Sequence, residues 1–336
     1  MKKYEKIVIT NLPAFYKIRL FNEINKRIPL LVLFTGHASD GRNSDFYKGN
    51  IEFDYINLNK GLLGNFFTLI KVLQNNCKEI ILGGWDNCWY WMPLIINPKQ
   101  NNSVIVESSI HESKISGVRG TIKRIFLSHC TKVYVPGKSN ANLVKQLGFK
   151  GQIIKTKGCG IFNYIKQPQY IEHKEVKRFI YVGRLAEVKN VSLLIRTFND
   201  FPELILDIVG FGPLEVELKK MANSNIIFHG AVDNKDLPSY YNTANVFVLP
   251  SLSEPWGIVV EEALNNGLPV IVSDKVGCAE ELVNNSNGII FKSGDIYSLK
   301  KAIKKISDIN YYNYLRYNIS KLEFEVIEKE QVKCYL

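Results

Sequence analysis

The run Val246-Phe-Val-Leu-Pro-Ser-Leu-Ser-Glu254-Pro-Trp-Gly257-Ile-Val-Val-Glu-Glu262-Ala263 decides how this chain folds. It opens on four apolar residues, breaks at Pro250 and resumes after Gly257 as a helix. An unbroken apolar run ended by turn residues is how a strand covered on both faces reads, and such strands belong to parallel sheets. The pattern recurs outward from it. Strands are predicted at 178–182, 204–209, 225–229, 269–273 and 288–291 in the same half. In the other half they fall at 6–10, 30–34, 53–58, 79–83, 103–107, 132–136 and 152–155, with helices at 15–27, 62–75, 120–128 and 139–147. Alternation of this kind over 336 residues predicts two doubly wound α/β domains. The boundaries expected are 1–165, 172–310 and a closing helical segment 311–336 that crosses back to the first domain, with 163–177 as linker.

Ligands of open α/β sheets bind beyond the carboxyl ends of the strands. Two such domains would face one another across a cleft, so residues just past strand ends are the first candidates. Strand 178–182 runs into Gly183, Arg184 and Leu185, with Lys189 five residues beyond the arginine. Arg offers a bidentate fork and Lys a point charge, which together suit a diphosphate; two solvated surface cations are the plainer alternative. Gly257 would let a phosphate approach the free N–H groups of the helix that starts there. Glu254 and Glu262 stand eight residues apart and could hold hydroxyls at two ends of an extended polar ligand. Taken singly, Glu254 reads as a helix-dipole partner and Glu262 as a solvated helix face. Together with Gly257 and the two cations, they point to a sugar-nucleotide site.

These residues carry a resemblance. Gly-Arg-Leu followed by Lys189, then Val-Gly-Phe-Gly-Pro-Leu at 209–214, His-Gly-Ala-Val at 229–232, and the stretch from Pro250 through Ser273 and Asp274 to Gly277 are similar, in order, to retaining glycosyltransferases of family 4. The spacing of Glu254 and Glu262 matches that family's paired glutamates. The resemblance implies a GT-B fold with a carboxyl-terminal donor domain. It implies that Arg184 and Lys189 neutralise the departing diphosphate and that Glu254 contacts the transferred sugar. It implies further that Glu262 binds the ribose, that Gly257, Ile258 and Val259 cradle phosphate, and that the loop through Val232 edges the base. No cofactor or metal is expected, since cations and a helix terminus supply the electrostatics; the sequence also lacks an Asp-x-Asp triplet.

The amino-terminal half is read from fewer signals. The opening from Asn11 to Phe21 resembles that of bacterial polysaccharide members of the family, and Asn11, Glu107 and His111 are the candidates on the acceptor side. The net charge of +11 is concentrated. Ten basic residues lie between His111 and Lys157 against the single acid Glu112. Lys114, Arg119, Lys123 and Arg124, interleaved with Ile115, Val118, Ile122 and Ile125, suit a basic amphipathic helix on an anionic membrane surface. The same helix packing its apolar side on the sheet is compatible with that. Six cysteines without metal-ligand spacing, and an amino terminus that reads as a buried strand, point to the cytoplasm, at the inner face of the cell membrane.

The expectation is therefore a retaining glycosyltransferase that moves sugar from a nucleotide-sugar donor, a UDP-sugar by preference. The acceptor would be a lipid-linked or oligosaccharide glycan in bacterial polysaccharide assembly. The alternatives are a GT-B-type epimerase or phosphorylase and, from charge alone, a nucleic-acid-binding protein. No recognition module for nucleic acid is present, and none is expected as partner.

Overall fold

A computed structural model describes residues 3–36, 44–47, 49–74, 77–96, 101–162 and 164–336. The chain divides into two compact units. Unit 1 comprises Met1–Ile161 and Glu325–Leu336; unit 2 is the continuous stretch Phe162–Phe324.

Unit 1 holds a seven-stranded parallel sheet in the order β3-β2-β1-β4-β5-β6-β7. Its strands are β1 (Lys6–Thr10), β2 (Leu30–Phe34), β3 (Asp54–Asn57), β4 (Glu79–Leu82), β5 (Asn102–Ile105), β6 (Lys132–Val135) and β7 (Gln152–Lys155). β1 is wholly buried because helices cover both faces: Ile7 and Ile9 enter one core, Val8 the other. The first core is closed by α2 (Gly61–Leu73), α3 (Cys88–Ile96), α4 (Gly117–Ser128) and α5 (Lys138–Gln146). The second is closed by α1 (Phe15–Asn25) and, at the far end of the chain, by Val332 and Tyr335. Tyr335 is buried and stacks on Tyr134 with ring centroids 4.7 Å apart and planes 13° from parallel. Beneath that stack Glu79 is buried with Lys6 Nζ at 2.7 Å, Lys132 Nζ at 3.4 Å and the Tyr134 hydroxyl at 3.0 Å, so its charge is compensated.

Unit 2 holds a six-stranded parallel sheet, β10-β9-β8-β11-β12-β13. The strands are β8 (Arg178–Val182), β9 (Ile205–Val209), β10 (Ile226–Gly230), β11 (Val246–Leu249), β12 (Val270–Ser273) and β13 (Gly288–Phe291). Between and after them come α6 (Val191–Asn199), α7 (Glu215–Met221), α8 (Leu237–Thr243), α9 (Ile258–Asn265), α10 (Ala279–Leu282), α11 (Ile296–Ile306) and α12 (Ile309–Ile319). α11 shows why such segments are helical. Leu299, Ile303 and Ile306 bury one stripe, and Asp295 caps the first turn by accepting from Tyr297 and Ser298 N–H. α13 (Phe324–Lys333) ends the series and lies with unit 1 from Glu325 onward, whereas α12 stays with unit 2.

All thirteen strands form where the sequence placed them, to within two residues. α3 was not foreseen: Pro93 stands inside it and its run of Trp, Tyr and Met has no amphipathic period. The expected linker is not slack. Asn163 lies outside the described residues, but Ile165 exchanges hydrogen bonds with the Asn265 side chain at 2.9 and 3.1 Å, and His173 N–H donates to Asn313 Oδ1 at 3.0 Å. Residues 164–177 are thereby laid along unit 2.

Candidate functional site

At the carboxyl ends of β8 and β9 two backbones meet at distances that only glycine permits. A Cβ on Gly210 would lie 1.9 Å from the Gly183 carbonyl, and one on Gly212 would lie 2.4 Å from the Leu185 carbonyl. Gly183 N–H donates to Val209 O and Gly210 N–H to Gly230 O, at 2.9 and 2.8 Å. The loop that carries Arg184 is therefore fixed. It is pinned again from below, where the buried Tyr181 hydroxyl donates to Arg184 O at 2.9 Å. Arg184 itself is exposed, and among the described residues its side chain makes no ion pair. Lys189 ends a short 3-10 turn, Glu187–Lys189, which Leu252 N–H ties to the loop after β11 by donating to Val188 O at 2.8 Å.

The loop after β11 is clamped to the loop after β12. Glu254 N–H donates to Lys275 O, Gly277 N–H to Glu254 O, and Cys278 N–H to Trp256 O. Gly277 is required here, because its Cβ would meet Pro255 O at 1.9 Å. Gly257 caps α9 with φ +103°, a conformation that favours glycine, and no side chain caps that helix. In the first turn of α9 the Val260 N–H donates to Gly257 O at 2.9 Å, while those of Ile258 and Val259 lie too early in the helix for an intrahelical partner, and the helix dipole makes their surroundings positive. Lys189 and Glu254 form an ion pair a few residues away, both largely buried. Burial raises the Tyr181 hydroxyl pKa well above its ordinary value; Glu254 raises it further and Arg184 opposes it. Arg184, Lys189, Glu254 and the α9 amino terminus therefore gather at one end of the unit 2 sheet.

Glu262 is no solvated helix face. It is buried, the Tyr241 hydroxyl lies 3.4 Å from Oε2, and burial pushes its carboxyl up to about 7. Its neighbour Glu261, passed over in the sequence, is buried too. Trp256 Nε1–H donates to its Oε2 at 3.1 Å, yet burial raises this carboxyl to about 8. Two adjacent glutamates in an apolar helix gain more by keeping protons than by ionising. Ile258 and Val259 are half-buried on the first turn of α9, and Val232 is half-buried in the loop after β10, following Gly230 at φ +70°.

In unit 1, Asn11 follows β1 and its Oδ1 accepts from Leu12 N–H at 2.8 Å, shaping the turn into α1. Glu107 follows β5, paired at 3.0 Å with Lys17, and the Asn140 amide donates to its carbonyl at 2.6 Å. His111 lies exposed on the turn beyond. Lys114, Arg119 and Arg124 are exposed, with Arg124 also donating to Ile115 O at 2.8 Å. Lys123 departs from the expectation of a membrane-facing cation. It is 9% exposed, its ammonium donates to Ser113 Oγ at 2.5 Å and Lys114 O at 2.8 Å, and it sits 5.4 Å over the Trp85 ring. Those two acceptors and the ring replace water around the charge, which folds the side chain back onto its own domain.

Known proteins resemble this chain in sequence and in fold. Residues 165–321 match the family model described as glycosyl transferases group 1. The sulfoquinovosyl transferase of Arabidopsis thaliana is 30% identical over 45% of this chain and 30% of its own length. An N-acetylgalactosaminyltransferase of Campylobacter jejuni, named for an N,N'-diacetylbacillosaminyl-diphospho-undecaprenol substrate, is 24% identical over 80% of this chain and 78% of its own. The chain thus spans less than a third of the first of these relatives. Among solved structures, sucrose-phosphate synthase from Thermosynechococcus elongatus superposes with a TM-score of 0.78 at 19% identity, covering 98% of both chains. Anabaena HepE in complex with UDP and glucose gives 0.68 at 15% identity, covering 97% of this chain and 98% of that one. Residues 165–321 of unit 2 therefore match a glycosyl transferases group 1 domain, and the chain shares the GT-B fold of those solved structures.

Proposed function

We propose that the chain is a retaining glycosyltransferase that needs no metal. Its donor is a nucleotide sugar, a UDP-sugar by preference, and its acceptor a lipid-linked glycan in bacterial surface polysaccharide assembly. The observation that carries the reading is the gathering of Arg184, Lys189, Glu254 and an uncapped helix terminus at Gly257 on one sheet end. A diphosphate leaving group is the ligand that uses all of them. Arg184, Lys189 and the α9 N–H groups would take the charge that develops as the sugar–phosphate bond breaks. Glu254, held by Lys189 until the donor arrives, would orient the sugar, and Glu262 would accept from a ribose hydroxyl. The acceptor oxygen attacks the anomeric carbon on the face the phosphate leaves, and its proton passes to the departing phosphate oxygen.

The UDP bound to HepE and the undecaprenol-linked substrate in the Campylobacter enzyme's name favour the same donor and acceptor classes. Asn11, Glu107 and His111 would meet the acceptor. Lys114, Arg119 and Arg124 would meet an anionic membrane surface, on the cytoplasmic side where nucleotide sugars are found. Calorimetry with UDP, GDP, dTDP and ADP, followed by transfer assays on the sugar of the tightest binder, tests the proposal. Lys189→Ala and Glu254→Ala should each abolish transfer in a folded protein. Full activity in either variant refutes it, and epimerisation of donor alone would favour an epimerase.

A further inference from the structure

α2, α3 and α4 lie side by side on one face of the unit 1 sheet. They share one core, and Trp91 of α3 packs edge-on against Phe126 of α4 at 5.0 Å. Their inner stripes are buried, as expected: Leu69, Val72 and Leu73 in α2, Leu94 in α3, Phe126 and Leu127 in α4. Their outer sides are apolar as well. Leu62 and Leu63 are each 75% exposed, Phe67 66%, Ile95 83%, Val118 77% and Ile122 43%. A helix with one partner needs one apolar stripe. α2 instead begins with two leucines and, one turn later, two phenylalanines that its core does not take. Its start is set by Lys60 N–H donating to Asn65 Oδ1 at 3.0 Å and by Gly61 at φ +72°, so the exposed first turn is built rather than frayed.

The charge carried by the helices themselves has one sign. None of the three contains Asp or Glu, while Lys71, Arg119 and Arg124 are exposed on them; beside them the exposed cations Lys60 and Lys114 stand against the exposed acids Asp86 and Glu112. A second copy of the same face would bring the like charges of the helices together. An apolar ridge whose own charges are cations complements a surface that offers hydrocarbon below and anions above.

We propose that the outer face of α2, α3 and α4 enters an anionic lipid leaflet, with Leu62, Leu63 and Phe67 as the inserted side chains. This rests on the membrane partner named above but moves its centre from the cations of α4 to the first turns of α2. Cations alone give binding that salt abolishes; inserted side chains give binding that survives it.

The test is flotation of the full chain with phosphatidylcholine vesicles, with or without phosphatidylglycerol, at low and high salt. Wild type should float with the anionic vesicles and keep a salt-resistant fraction. Leu63→Glu with Phe67→Glu should lose about a hundredfold in partitioning, two buried side chains being replaced by charges. Lys114→Gln with Arg119→Gln should lose only the salt-sensitive part. Vesicles should also slow amide exchange across residues 61–67 in wild type. Equal flotation of the Leu63/Phe67 variant overturns the proposal. So does a wild-type dimer, without vesicles, that this variant dissociates. UDP calorimetry on the same proteins reads the donor site separately, so failure at the lipid face and failure of the transferase reading are told apart.

Discussion

Replacing Glu261 by Gln should flatten the pH dependence of unit 2 stability. The carboxyl is buried in α9, accepts one hydrogen bond from Trp256, and has its pKa raised by burial from 4.5 to about 8. Because the folded value lies above the unfolded one, the folded state binds the extra proton between the two. Stability from this group is then present at low pH and lost as pH rises through that window. The slope for one such group is about 1.4 kcal/mol per pH unit. Going from about pH 6 to about pH 8 should thus remove ~2–3 kcal/mol. For a unit of this size that is a fall of about 5–10 °C in Tm. Gln keeps an acceptor for the Trp256 indole and carries no charge. The variant should therefore melt near wild type at the lower pH and above it at the higher. Parallel melting curves at the two pH values would refute the reasoning, since they would mean that Glu261 is ionised and solvated in the folded protein.

Other outcomes follow from distances already given. Gly210→Ala forces a Cβ to within 1.9 Å of the Gly183 carbonyl and should cost more than about 2 kcal/mol by denaturant unfolding, with loss of UDP binding. Lys189→Met removes one charge-assisted contact to a diphosphate and should weaken UDP binding by about 1.5–3 kcal/mol in calorimetry, with little change in the amount folded. Tyr335→Ala unstacks a buried ring from Tyr134 and should destabilise unit 1 by ~3–5 kcal/mol, read by hydrogen exchange of β6.

How far the sequence could be read depended on what each residue answers to. Strands buried on both faces announce themselves by composition, so β8 and β11 could be placed residue by residue. The glycines at 183 and 257 were visible because backbone approach leaves one residue type to choose from. Glu261 was missed because nothing local separates a buried, protonated glutamate from a solvated one; only the packing of α9 and the indole of Trp256 do. Lys123 was misplaced for the converse reason. Its position falls on the buried stripe of α4 with Gly120, Phe126 and Leu127, and a lysine in a run of cations reads as a surface charge until Ser113 and Lys114 O are seen to take its ammonium. Tyr181 and Tyr241, which brace Arg184 and Glu262, belong to no motif themselves and look like ordinary core tyrosines.

The return of residues 325–336 to unit 1 governs the order in which the molecule can be made. Unit 2 is one uninterrupted stretch and can close its core as soon as its own residues have left the ribosome. Unit 1, though begun first, must wait through the whole synthesis of unit 2 for Val332 and Tyr335 to seal its second core. During that interval Phe21, Val32 and Tyr134 border an incomplete core, and a nascent chain stalled before Tyr335 would present them to chaperones and proteases. Unit 1 is accordingly the half whose yield should depend on the speed of translation, and the half that a carboxyl-terminal truncation would remove from the soluble pool.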